Sequence, residues 1–203
     1  MGTLKKWFHD SRPEIWKQLS AELGGRYTQG KWMKGDRIDV SHGEWMVTFD
    51  TYVIIVNKVP VPFTRLRAPF LNSEKMRLKV YRASIFTELG KFFGMQDLTI
   101  GDAQFDKDFV LKGNDERRVR EFLANEKLRA LLSAQKDVTL SVEDDEGWFG
   151  AKFPENTDEL RVVIHGHEKN PERLRELFTL FAEGLDQLCR IGSAYEDAPT
   201  LKL

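Results

Sequence analysis

Apolar residues change their spacing twice in the first third of the chain. Ile15, Trp16, Leu19 and Leu23 recur three and four residues apart, the rhythm of one helical face. Ser11 as a cap, Pro13 in the first turn and Glu14 reaching back open this helix, and Gly24-Gly25 end it. "YTQGKWMKGDR" reads as a polar connection punctuated by glycine. "EWMVTFDTYVIIV" then predicts a strand, because β-branched and aromatic side chains suit a pleated surface. Asn57 to Pro62 holds two prolines and is expected to turn the chain, since proline cannot donate to a central ladder.

Two alternating segments follow. Thr64, Leu66 and Ala68 share one face while Arg65 and Arg67 take the other, and Leu78 and Val80 oppose Arg77 and Lys79. This is the pattern of a half-buried antiparallel meander. "SIFTELGKFFG" predicts a short helix with Ile85, Leu89, Phe92 and Phe93 inward, and "MQDLTIGD" a linker.

In the second half, Phe105, Phe109 and Leu111 suit a strand broken by Gly113, with Asn114 or Asp115 capping the next helix. Val119, Phe122 and Leu123 form one stripe, and Leu128, Leu131 and Leu132 another out of phase with it. The shift at Asn125 predicts two helices or one bent one. "VTLSVEDDEGWFGAKF" reads as a hairpin with an acidic turn, and "ELRVVIHG" as a further strand. Asn170-Pro171 opens a last helix carrying Leu174, Leu177, Phe178, Phe181, Leu185 and Leu188, which runs to about Ile191 and stops at Gly192. The expected fold is α+β: a mainly antiparallel sheet, from meander and hairpin, packed by a long C-terminal helix. It forms one domain or two intimately packed halves (residues 1–94 and 95–192), with a loose tail over 193–203.

At 203 residues such a chain can bury roughly 70% of its unfolded surface and needs no metal or disulfide to hold together. Cys189 is the only cysteine, which excludes an internal disulfide and a cysteine-rich zinc site and favours a reducing compartment. The longest apolar run, "YVIIV", is far short of a membrane span, so a cytoplasmic protein is expected. The net charge of −1 hides an asymmetry. Residues 61–93 carry seven basic against two acidic residues, and residues 137–159 eight acidic against one basic.

Little in the chain points to catalysis. Nucleophile elbows and phosphate loops are missing from the sequence, and Asp106 and Asp108 begin a calcium-loop rhythm that Val110 and Leu111 interrupt. No cofactor is expected. His165 and His167, two apart in a strand, would share a face and hold one metal with Glu168 as a third ligand. A metal-dependent enzyme built on that pair is therefore the alternative reading. The stronger candidate is the basic strand face of Arg65, Arg67, Arg77 and Lys79, joined on the same parity by Tyr81 and Phe63. Guanidinium groups in a row suit phosphate or carboxylate recognition. Nucleic acid is disfavoured as a ligand, because the chain as a whole lacks a positive field.

Phe105, Phe109, Leu111, Asp115, Leu123 and Leu128, followed by the "VTLSVEDDEGWFGAKF" hairpin, resemble a bacterial family known only as a domain of unknown function. The resemblance covers residues 103–153 and departs at Leu123-Ala124-Asn125, where that family carries Leu-Thr-Pro. It implies no activity and no catalytic residues. The sequence therefore points to a non-enzymatic binding or interaction domain for an anionic ligand or an acidic protein. A homo-oligomer built through an exposed strand edge is a further option.

Overall fold

A computed structural model describes residues 12–30, 35–84, 95–144 and 153–194. Its elements in order are α1 (Arg12–Glu22), β1 (Arg26–Thr28), β2 (Arg37–His42), β3 (Trp45–Val56), β4 (Val59–Leu71), β5 (Leu78–Arg82), β6 (Gln96–Leu98), α2 (Ala103–Asp108), β7 (Phe109–Gly113), α3 (Glu116–Leu123), α4 (Glu126–Ala134), β8 (Val138–Glu143), β9 (Thr157–His165) and α5 (Pro171–Arg190). The strands form a nine-stranded sheet in the order β1-β2-β3-β4-β9-β8-β5-β7-β6, and every pairing is antiparallel. The α+β class with a long C-terminal helix is as the sequence pattern predicts.

One face of the sheet is greasy because alternation puts Ile38, Val47, Phe49, Leu66, Phe70, Val80, Leu140 and Val162 there, all completely or almost completely buried. The helices cover this face. Trp16 and Leu19 of α1 and Leu177, Phe181 and Leu188 of α5 join the same core as Phe122 of α3 and Leu128 of α4. The crossing of α5 over the sheet is close because Gly184 has no side chain. A Cβ there would stand 3.2 Å from Leu160 and 3.9 Å from Leu140. Because β8 and β9 lie between β4 and β5, the sheet runs unbroken through strands from both parts of the chain.

Helix ends follow their local chemistry. Asn170 accepts from the amides of Glu172 and Arg173, Asp115 from Arg118, and Asn125 from Leu128, each satisfying donors the helix leaves open. Of the two alternatives expected around Asn125, the structure has two consecutive helices, α3 and α4.

The structure corrects three expectations. Phe105 lies in the short helix α2, not in a strand, because Asp102 caps that segment through the amides of Gln104 and Phe105; its ring still stacks on Phe109 at 4.5 Å. The expected connection after α1 contains β1 and the start of β2, and the expected linker contains β6, three-residue and six-residue strands held by their neighbours' ladders. The turn expected over Asn57 to Pro62 is only Asn57-Lys58, and β4 continues through Pro60 and Pro62. Among the described residues, β8 pairs with β9 on one side and β5 on the other. The Ser11 cap, the helix expected within 85–94, the return strand of the acidic hairpin at 145–152 and the tail from 195 fall outside the described residues.

Candidate functional site

Opposite the helices, the sheet carries a row of charge. Asp39 and Thr48, Asp50 and Arg65, Arg67 and Arg161, Glu143 and Glu159, and Lys79 and Ser141 all sit on this parity, where strand register brings them side by side. Arg65 donates Nε and Nη2 to the two oxygens of Asp50, both at 2.8 Å. Arg67 approaches the same carboxylate at 2.9 Å and Glu159 at 3.7 Å. Arg161 bridges Glu143 at 2.6 Å and Glu159 at 2.8 Å. Arg77 pairs with Asp144, at the foot of the acidic turn.

Burial and the paired charges act on these groups in opposite directions. Burial works against the charge of Arg65, yet the Asp50 carboxylate outweighs it and raises the guanidinium's pKa above its ordinary value. Burial also raises the carboxyl of Glu159, which has no exposed surface, although Arg161 and Arg67 oppose the shift. Lys79 is almost fully buried, and burial pulls its pKa down to about 8 against the pull of Glu143. Its ammonium lies 5.6 Å from the centre of the Tyr81 ring. Thus Arg65, Arg67, Lys79 and Tyr81 share the face that alternation assigned them, whereas Arg77 precedes β5, outside the ladder; Arg65, Arg67 and Arg77 each hold a carboxylate of the chain itself.

His165 and His167 are placed differently from each other. His165 ends β9, and its ring rests on Phe63 at 4.7 Å. Gly166 follows with a left-handed φ of 82°, so the two-residue spacing no longer implies a common face. His167 turns to α1, where Arg12 donates to its Nδ1 at 2.6 Å while also pairing with Asp36 at 2.9 Å. Burial, Arg12 and Lys169 together push the imidazole's pKa down. No group of three or more histidine, cysteine, aspartate or glutamate side chains gathers among the described residues as a metal site would require.

The β3–β4 hairpin, expected from the sequence as two strands and a turn, was not among its candidate sites. Pairing with β2 stops at Asp50 and pairing with β9 stops at Phe63, while β3 and β4 remain paired to each other as far as Val56 and Val59. The two-stranded ribbon beyond these points projects roughly 15 Å at 3.3 Å per residue. Asn57 and Lys58 close it with φ of 49° and 68°, the primed turn whose twist matches paired strands. Val56 and Val59 form the closing pair, so Pro60 and Pro62 fall where an N–H would point away from β3 and interrupt no ladder bond.

Both faces of this ribbon are apolar. Val53, Ile55, Pro60 and Pro62 lie on one face and Ile54, Val56, Val59 and Val61 on the other. Val53 is 50% exposed, Ile55 66% and Val59 59%; Met46 is the other large exposed hydrophobic residue among those described. At the root of the ribbon Tyr52 stacks on Phe63 at 5.4 Å, and the Arg65 guanidinium covers Tyr52 at 4.8 Å. A signal was present in the sequence. From Thr51 to Thr64 alternation is lost, and Lys58 is the sole charged residue in a chain that is 31% charged.

The chain matches no family model, and no curated protein matches it. Among solved structures, it is similar to the crystal structure of the mycobacterial trehalose monomycolate transport factor A, TtfA. The similarity has a TM-score of 0.57, spans 95% of this chain and 98% of that one, and comes with 8% sequence identity. Identity that low establishes a common fold and nothing more.

Proposed function

We propose that this chain is a non-enzymatic binding domain that makes contact through the projecting β3–β4 hairpin. The exposure of Val53, Ile55 and Val59 on a ribbon with no apolar cover among the described residues carries the reading. Leaving such side chains in water forgoes burial worth about 1.5–3 kcal/mol each, a loss that a contact surface recovers on binding. The ionic row supports the same view from the other side. Its cations meet carboxylates within the chain, which suits a rigid platform for the hairpin. The name of the similar structure, a transport factor, fits a protein that binds rather than transforms.

The test places a photo-crosslinking amino acid at position 55 and, as a control, at exposed Arg117 on α3. Irradiation of whole cells should give adducts from position 55 alone. Added wild-type chain should compete them away, and the Ile55→Ser/Val59→Ser variant should not. Absence of any competed adduct at position 55 would refute the reading. Elemental analysis of the purified protein addresses the metal-enzyme alternative: stoichiometric metal lost in His165→Ala would favour it.

A further inference from the structure

We infer that the β3–β4 hairpin docks onto a lipid bilayer containing anionic headgroups, an inference that rests on the hairpin being the contact element.

Four features of the ribbon favour a bilayer over a protein groove or a second copy. Its apolar side chains occupy both faces, Val53 and Ile55 on one and Val56 and Val59 on the other. A flat protein surface covers one face of a ribbon, whereas a bilayer receives both. Next, Pro60 and Pro62 remove two N–H groups from the outer edge of β4. An unpaired donor is costly at membrane depth, and an edge without donors is a poor template for a partner's strand.

The third feature is the collar. Tyr52, Phe63, His165 and the Arg65 guanidinium stack together where the apolar ribbon meets the body of the sheet. The Tyr52 and His165 rings put amphipathic groups at that level, as at membrane–water interfaces. The fourth is charge. Lys58 is the one charged residue between Thr51 and Thr64, and it is a cation. Its stem lets the ammonium reach back to the phosphate level while its neighbours lie about 5–10 Å deep in the headgroup–acyl boundary. Lys58 also holds a left-handed φ of 68°, a conformation that costs a lysine more than a glycine. A cation kept at a strained turn position is the kind of backbone outlier that accompanies function.

The experiment is co-sedimentation of the full chain with vesicles of phosphatidylcholine alone and of phosphatidylcholine mixed with phosphatidylglycerol. The wild-type chain should bind the mixed vesicles, and Ile55→Ser/Val59→Ser should bind at least about tenfold more weakly. Lys58→Glu should weaken binding to the mixed vesicles by at least about fivefold and leave the weak binding to phosphatidylcholine unchanged. Thermal unfolding of each variant checks that the sheet is intact, and a tryptophan placed at position 55 provides a second readout through a blue shift on vesicles. Equal binding by wild type and Ile55→Ser/Val59→Ser would overturn the inference, as would no binding by the wild type. Competed adducts at position 55 to a protein alone would refute the lipid surface while leaving the hairpin as contact element. Concentration-dependent dimers abolished by Ile55→Ser/Val59→Ser would assign the hairpin to a second copy of the chain instead.

Discussion

Arg65 and Asp50 face each other across β3 and β4 and share two parallel hydrogen bonds, each 2.8 Å long. The same carboxylate also receives Arg67, so one acidic side chain holds two guanidinium groups on a face that carries little solvent exposure. Replacing Asp50 with alanine removes the carboxylate paired with Arg65 and one of the two that Arg67 approaches. Urea unfolding should show a loss of about 3 kcal/mol, because removing one partner of a largely buried pair leaves charge without compensation. A loss well under about 1 kcal/mol would mean that the row behaves like an ordinary surface ion pair.

Asn125 performs two tasks. Its Oδ1 accepts from Leu128 at the start of α4, and its Nδ2 donates to Glu183 at 2.7 Å and Gln187 at 3.1 Å on α5. Asn125→Ala should cost about 2 kcal/mol, combining a lost cap with a lost link between helices. Asn125→Asp keeps the cap but sets a second carboxylate against Glu183, so it should not restore stability. Chemical denaturation of the three chains in parallel checks the ranking.

Glu183 ties stability to acid pH. Burial pushes its carboxyl up, but hydrogen bonds from Lys127, Arg190 and Asn125 outweigh this and hold its pKa at about 2, below the ordinary 4.5. A carboxyl depressed on folding contributes stability that is complete above 4.5 and lost as pH falls toward about 2. Glu183→Gln should therefore flatten the fall in unfolding free energy across that interval. A parallel slope in wild type and variant would remove Glu183 as its source.

Lys58→Gly should stabilise the fold while weakening docking. Glycine relieves about 1–2 kcal/mol of left-handed strain, and its freer unfolded chain takes back about 0.5–1 kcal/mol. A modest rise in melting temperature, together with weaker binding to anionic vesicles, is the expected pair of results. Lower stability would show that the lysine makes a contact of its own in the folded chain.

Much of the secondary structure was legible because its causes are local. Asn125, Asp115 and Asn170 open helices with side chains acting on amides two or three residues away, so neighbouring residues carry the signal. The alternation that put Arg65, Arg67, Lys79 and Tyr81 on one face is equally local. Strands β1 and β6 were not legible, since three residues in an extended form are held by a ladder that another segment supplies. Phe105 was misplaced because its apolar character serves a strand or a helix equally, and the Asp102 cap decided for the helix.

By itself the sequence determined which residues turn inward, where the long helices stop and which side chains share a sheet face, because these depend on periods of two and 3.6 and on contacts a few residues long. Only the tertiary structure decided what those faces meet. Asp50 and Glu159 neutralise the arginines because register brings together residues distant along the chain. The apolar hairpin stands in solvent because β2 and β9 stop pairing before it ends. Whether an apolar residue becomes core or contact surface depends on the presence of a neighbour, and a neighbour is a property of the assembled sheet.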